Sequence, residues 1–191
     1  CMAAALSAGA FEFRGVAVID GNMSEEGLEA LHRVGVRGVR VNVASDTAAV
    51  GLSEAPRIAA LIRPLGWHLQ FSVRIHQTPE IEQLIERLPV PCVIDHFGKI
   101  RTSLGLQSPE SAALLRLARL DHVWFKLTAP YRFSKDNPLY RDVTPLASAL
   151  IAEAPSRCVW GTDWPHPNAA HVPNAGDLAD MLEEWLPDPS V

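Results

Sequence analysis

Two short blocks of the sequence carry side chains suited to acid–base or electrophilic chemistry, Trp160-Gly-Thr-Asp-Trp-Pro-His166 and Val93-Ile-Asp-His-Phe-Gly98. Asp163, flanked by Trp160, Trp164 and Pro165, is expected to be partly desolvated, which suits a general base or a metal ligand. The plainer alternative is a capping aspartate that holds the following turn. His96 is placed to polarise a carbonyl or bind a metal, and Gly98 lets the chain approach a ligand closely. Its plainer alternative is a histidine satisfied by a neighbouring carbonyl. Asp95, of opposite parity, is expected to make structural hydrogen bonds. Arg40, Arg74, Lys126 and Arg132 form a positive set that points to an anionic ligand, most naturally a carboxylate gripped by arginine. Taken singly, each of these is commonly a surface or salt-bridge residue, and Arg74 and His76 lie just beyond a strand. Lys126 has a rival chemistry, because a desolvated lysine forms Schiff bases with carbonyl substrates. Its neighbours Thr128 and Tyr131 offer that reaction no evident acid–base set.

The elements that must position these groups are short apolar runs ending in polar residues. They are Val16–Asp20, Gly38–Asn42, Trp67–Val73, Pro91–His96, Val123–Thr128 and Cys158–Asp163. Such runs, rich in Val, Ile and aromatics and separated by helical patterns, predict buried parallel strands with crossover helices. Ser24-Glu-Glu-Gly27 predicts a capped helix that Gly35 ends. Thr78-Pro79-Glu80 and Ser108-Pro109-Glu110 each predict an N-cap followed by a proline in the first turn. The alternation means an open doubly wound sheet or a closed barrel. No Gly-rich phosphate loop follows an early strand, and nearly every strand ends in a polar group: Asp20, Arg40, Arg74, His96, Lys126, Asp163. Convergence of strand ends on one mouth favours the barrel. Within Trp67–Arg74 the odd residues are apolar and the even ones, His68, Gln70, Ser72 and Arg74, would face inward. Arg40 with Asn42, Lys126 with Thr128 and Gly161 with Asp163 follow the same two-residue rule.

Composition bounds the function. The 191 residues are 48% hydrophobic and 20% charged with a net charge of −5, ordinary for one globular domain over 1–191. No basic stripe suits nucleic acid, and no apolar run reaches the roughly 18–20 residues that span a bilayer. Cys1, Cys92 and Cys158 show no ligand spacing, so reduced thiols and a cytoplasmic home are expected.

Three blocks resemble consecutive strands of the amidohydrolase-related family, and within it the 2-pyrone-4,6-dicarboxylate lactonase and sulfomuconolactonase group. They are Pro91-Cys-Val-Ile-Asp-His-Phe-Gly-Lys99, Val123-Trp-Phe-Lys-Leu-Thr-Ala-Pro-Tyr-Arg132 and Val159-Trp-Gly-Thr-Asp-Trp-Pro-His-Pro167. Phe13–Asp20 and Gly35–Asn42 match the two preceding strands in type and order. The resemblance implies a distorted (β/α)8 TIM barrel, represented by about six βα units, that hydrolyses small carboxylate-bearing lactones. It implies that Asp163 takes a proton from the attacking water and that His96 polarises the lactone carbonyl. Arg40 and Arg132 would hold carboxylates, Lys126 belongs to the same positive set, and Gln70 or Ser72 would complete the pocket. The family's His-x-His pair is absent, and the closing segment after Trp185-Leu-Pro-Asp-Pro-Ser-Val191 is missing, so a piece of a longer barrel is expected. No cofactor is assigned; a divalent zinc or manganese, held by Asp163 and His96, is the alternative within the family. Three other functions stand beside lactone hydrolysis: a metal-dependent amidohydrolase or nonoxidative decarboxylase, a Lys126 aldolase, and an inactive or assembly-only partial barrel. The oligomeric state is not predicted.

Overall fold

The computed structural model describes residues 2–8, 13–43, 51–167, 169 and 171–186. After a short α1 (Met2–Ser7), strands and helices alternate as β1 (Gly15–Ala17), α2 (Glu25–Arg33), β2 (Val36–Asn42), α3 (Ala55–Ile62), β3 (His68–Ser72) and α4 (Ile81–Arg87). They continue as β4 (Cys92–Ile94), α5 (Pro109–Ala118), β5 (Val123–Thr128), α6 (Thr144–Glu153), β6 (Cys158–Gly161) and α7 (Ala175–Trp185). The chain divides into two compact units. One runs up to Ser72 and includes Leu84–Val93; the other takes Val73–Gln83 and everything from Ile94 onward.

In the first unit β1 pairs with β2 and β2 with β3, both parallel. The Leu69 amide donates to the Pro91 carbonyl at 2.9 Å, which brings the approach to β4 beside β3. Val36, Val39, Val41, Leu69 and Phe71 are fully buried, as are Ile58, Ala59 and Ile62 of α3. Each of the larger aliphatic or aromatic side chains contributes roughly 1.5–3 kcal/mol through the apolar area removed from water. Ser24 caps α2 as expected, its Oγ accepting from the Gly27 amide. Gly38 is demanded by a close approach: a Cβ there would lie 2.4 Å from the His68 ring on the adjacent strand.

In the second unit β5 and β6 are parallel, with Lys126 opposite Val159 and Thr128 opposite Gly161. Helix α5 starts at Pro109 and is capped by Ser108, whose Oγ accepts from the Ser111 amide at 3.1 Å. Leu114, Leu117, Phe125, Leu150 and Trp185 form its core.

The strand expected over Val16–Asp20 is shorter, ending at Ala17, and three boundaries nearer the site also differ from expectation. The strand expected over Pro91–His96 stops at Ile94, because His96, Phe97 and Lys99 adopt left-handed backbone with φ of 51°, 53° and 47°. The strand expected to reach Asp163 stops at Gly161, and Asp163 is also left-handed, at φ 61°. A left-handed residue cannot continue a ladder, so both candidate residues sit just past their strands. Thr78 is not the side-chain cap of α4; that helix starts at Ile81, and the Thr78 hydroxyl donates to the Arg74 carbonyl at 3.1 Å. Cys92 and Cys158 are free thiols. Burial pushes their pKa values up to about 12 and about 11. Cys1 and the end of the chain from residue 187 lie outside the described residues.

Candidate active site

The site is built on the ends of β4, β5 and β6 within the second unit. Strand β5 alternates as its sequence demands: Val123, Phe125 and Leu127 are buried, while Lys126 and Thr128 share the other face. Beyond it Ala129 turns left-handed at φ 54°, and Pro130, with its preset φ, opens a single 3-10 turn through Arg132. That turn delivers Tyr131 and Arg132 to Asp163.

His96 Nε2 faces Asp163 Oδ1 at 3.9 Å. On its other side His96 Nδ1 is 2.7 Å from the Thr128 hydroxyl. The second oxygen of Asp163 is heavily engaged. Oδ2 accepts from the Tyr131 hydroxyl at 2.6 Å and from Arg132 Nε at 3.0 Å, with Arg132 Nη2 at 2.9 Å. Arg132 Nη2 also donates to the Pro167 carbonyl at 2.8 Å, and its guanidinium lies over the Tyr131 ring. His166 meets the Tyr131 ring edge-to-face. The tryptophans expected to desolvate Asp163 do not provide the main cover, since Trp164 is 79% exposed. Cover comes instead from the β5 turn.

The electrostatics follow from these contacts. Burial drives the His96 pKa down to about 4, although the charges of Asp95 and Asp163 pull upward against Lys99 and Arg132. A neutral imidazole at physiological pH is the result. Burial alone would raise the Asp163 carboxyl, but the Tyr131 hydroxyl, His96 and the Arg132 guanidinium outweigh it and hold the group below its ordinary value. Burial, reinforced by the Asp163 carboxylate, pushes the Tyr131 phenol well above its ordinary range. At neutral pH the site therefore presents a carboxylate, a neutral imidazole and an intact phenol.

The remaining sequence candidates separate by unit. Lys126 Nζ lies 3.5 Å from the buried Asp95 carboxylate. A lysine facing a carboxylate lacks the apolar surroundings that make a nucleophilic amine. Asp95 is fully buried, in keeping with a structural role. Arg40, Gln70 and Ser72 belong to the first unit, on β2 and β3, where Arg40 is opposite Gln70 and Asn42 is opposite Ser72. Arg40 Nε donates to Asn42 Oδ1 at 2.8 Å, so the two share a face. Gln70 and Ser72 are buried. Sequence reasoning missed Thr128 and Tyr131 as partners of His96 and Asp163, and it missed Lys99, Arg101 and Lys135. Those three join Arg74, His76 and Arg132 around a cavity of about 400 Å³ in the second unit, with no carboxylate among the described residues of its lining.

The donor set among the described residues bears on whether a metal fits. Among the described residues no three His, Cys, Asp or Glu side chains come together as ligands. His96 and Asp163 supply two donors, and one Asp163 oxygen already carries a guanidinium. These residues do not by themselves form a metal site.

Comparison with known proteins identifies the family of the chain. The amidohydrolase family model matches residues 1–191. The 2-pyrone-4,6-dicarboxylate hydrolase of Comamonas testosteroni is 37% identical over 185 residues, covering 91% of this chain and 61% of that protein. The 4-sulfomuconolactone hydrolase of Hydrogenophaga intermedia is 33% identical over 165 residues, covering 84% of this chain and 54% of its own. This chain thus spans between half and two-thirds of the length of these relatives. An apo crystal structure from Agrobacterium tumefaciens matches with a TM-score of 0.87 at 29% identity, covering 98% of this chain and 68% of that one. The parallel α/β order is that expected of a partial TIM barrel. By its matched length and its relatives, the chain belongs to the amidohydrolase family.

Proposed function

We propose that the protein opens small carboxylate-bearing lactones by hydrolysis, with residues 1–191 forming one partial barrel domain. The observation that carries this reading is the Asp163–His96 pair, a carboxylate held ionised opposite a neutral imidazole. Asp163 Oδ1 takes a proton from water as the water oxygen bonds to the lactone carbonyl carbon. Negative charge developing on the carbonyl oxygen is met by His96 Nε2–H. The ring C–O bond then breaks, and the leaving oxygen takes the proton back from Asp163, so one lactone and one water give one open acid. The basic cavity supports an anionic substrate, as do the named substrates of the two relatives. Arg40, with Gln70 and Ser72 on the neighbouring strand, is proposed to hold a carboxylate. Among the described residues no helix is long and apolar enough to cross a membrane. The free thiols Cys92 and Cys158 fit a reducing compartment, which we take to be the cytoplasm.

The test is ring opening of 2-pyrone-4,6-dicarboxylate and of 4-sulfomuconolactone, followed by loss of substrate absorbance, with metal analysis of the same purified sample. Turnover of either supports the reading. A folded protein that opens no anionic lactone removes it, and stoichiometric zinc or manganese whose chelation abolishes turnover favours the metal-dependent alternative. The ionisation states make a second expectation. Because Asp163 and His96 titrate low and Tyr131 high, kcat/KM corrected for hydroxide hydrolysis shows no ionisation between about pH 5.5 and 9. A limb near the ordinary histidine value that survives replacement of His76 and of His166 would show His96 titrating as an exposed group does, against its burial. Arg40→Met is expected to raise KM for anionic lactones roughly tenfold or more, the scale of one charge-assisted hydrogen bond, with kcat little changed. An equal rise for neutral lactones would remove Arg40 from the carboxylate site.

A further inference from the structure

We infer that Thr128 and Tyr131 are a matched pair of positioning residues, each holding the non-reacting atom of its partner so that His96 Nε2 and Asp163 Oδ1 are left for chemistry. What those two atoms then do rests on the lactone reading above; the holding itself rests on geometry.

Together with the Asp163 carboxylate, Thr128 fixes which nitrogen of His96 carries the proton. Its position is set by sheet register: Thr128 is opposite Gly161, and a Cβ on Gly161 would lie 3.6 Å from the Thr128 methyl. With the methyl turned toward β6, the hydroxyl lies 2.7 Å from His96 Nδ1. That contact has two senses. If Nδ1–H donates to the hydroxyl, Nε2 is bare and faces the Asp163 carboxylate, setting two acceptors against each other. If the hydroxyl donates to Nδ1, the proton sits on Nε2 and points toward Asp163 Oδ1, 3.9 Å away. The second arrangement is the one the carboxylate favours, and it supplies the N–H donor that an oxyanion needs.

Tyr131 does the corresponding work on the carboxylate. Its hydroxyl can only donate usefully to Asp163, because the partner atom is an ionised oxygen at 2.6 Å. With Arg132 on the same Oδ2, that oxygen has a full complement of donors. The charged and titratable groups around Asp163 are thus His96 from the β4 end and Tyr131 and Arg132 from the β5 turn. Oδ1 is the oxygen turned toward the imidazole. Thr128 and Tyr131 leave the same strand end three residues apart, so one turn aligns both halves of the pair.

The tautomer can be read without substrate. In long-range proton–nitrogen NMR of the resting protein, His96 is expected as the neutral Nε2–H form. An Nδ1–H form in the wild type overturns the proposal whatever the protein does to lactones, and this measurement decides the matter even if a variant fails to fold. Thr128→Val, which keeps the shape but not the hydroxyl, is expected to mix the tautomers. With it kcat should fall about tenfold or more while KM stays within about twofold. Thr128→Ser should restore the Nε2–H form and return kcat to within about threefold of wild type. An unchanged tautomer in the valine variant, or a serine variant no better than valine, overturns the assignment of Thr128. Tyr131→Phe is expected to lower kcat about tenfold and to move the acid limb of kcat upward, since Asp163 loses a donor that favours its ionised form. Unchanged kcat and an unmoved limb overturn the assignment of Tyr131. If the wild type opens no lactone, the proposed function fails while the tautomer measurement still decides the Thr128 half.

Discussion

Asp163→Asn is expected to lower kcat by roughly 10²-fold or more, the scale for removing a positioned base, with the fold retained. The substitution is nearly isosteric, and asparagine keeps an oxygen that can accept from the Tyr131 hydroxyl. It cannot take a proton from water. It also removes the charge that Arg132 meets at 2.9 Å, so some loss of stability is expected beside the loss of rate. Circular dichroism and a thermal melt separate the two effects. Activity near that of wild type in a folded Asp163→Asn variant would remove Asp163 from the base role. Single-turnover measurements are the more decisive form, because they report the chemical step even where product release limits kcat.

The second large effect is expected at His96, and the pattern across two replacements matters more than either alone. Asparagine places its amide near the Nδ1 position, keeping a partner for Thr128 but leaving nothing where Nε2 was. Glutamine reaches toward the Nε2 position with a neutral N–H. If His96 acts as a neutral donor to developing negative charge, His96→Asn should cost roughly 10²–10³-fold in kcat and His96→Gln closer to tenfold. If the residue acted instead as a charged or proton-accepting group, glutamine would be as damaging as asparagine. The depressed imidazole pKa, about 4, makes the first pattern the expected one. Steady-state kinetics on both variants at pH 7 distinguish them.

Much of the architecture was legible because strands of alternating parity announce themselves. Val123–Thr128 is an example, where period two alone separates buried Phe125 from Lys126 and Thr128 on the opposite face. The candidate pair was legible for a related reason: His96 and Asp163 are ionisable groups just past apolar runs. What escaped was the turn after β5. Ala129 in left-handed backbone carries no sequence signal, since glycine or asparagine would be the expected occupant. Without that turn the direction of Tyr131 cannot be read, and its residue type alone shows only a poor partner for Lys126. Arg132 was legible as a cation, but its engagement of Asp163 through Nε and Nη2 depends on the same turn. Thr128 was seen as a polar strand residue, and only the β5–β6 register reveals which way its hydroxyl points.

The left-handed backbone at His96, Asp163 and His166 also limits how this sequence can drift. Residues with a side chain rarely occupy that region, and histidine, aspartate and asparagine are among those that do so most readily. At positions 96 and 163 the main chain thus screens replacements before reactivity does: valine, isoleucine and threonine are disfavoured by sterics alone, whatever their chemistry. The replacements that the main chain tolerates at 163 are few, chiefly asparagine, histidine and glycine, and none of them is a carboxylate. Divergence toward new substrates should therefore accumulate at conformationally ordinary positions such as Arg40, Gln70 and Ser72, while positions 96 and 163 stay locked by geometry as much as by function.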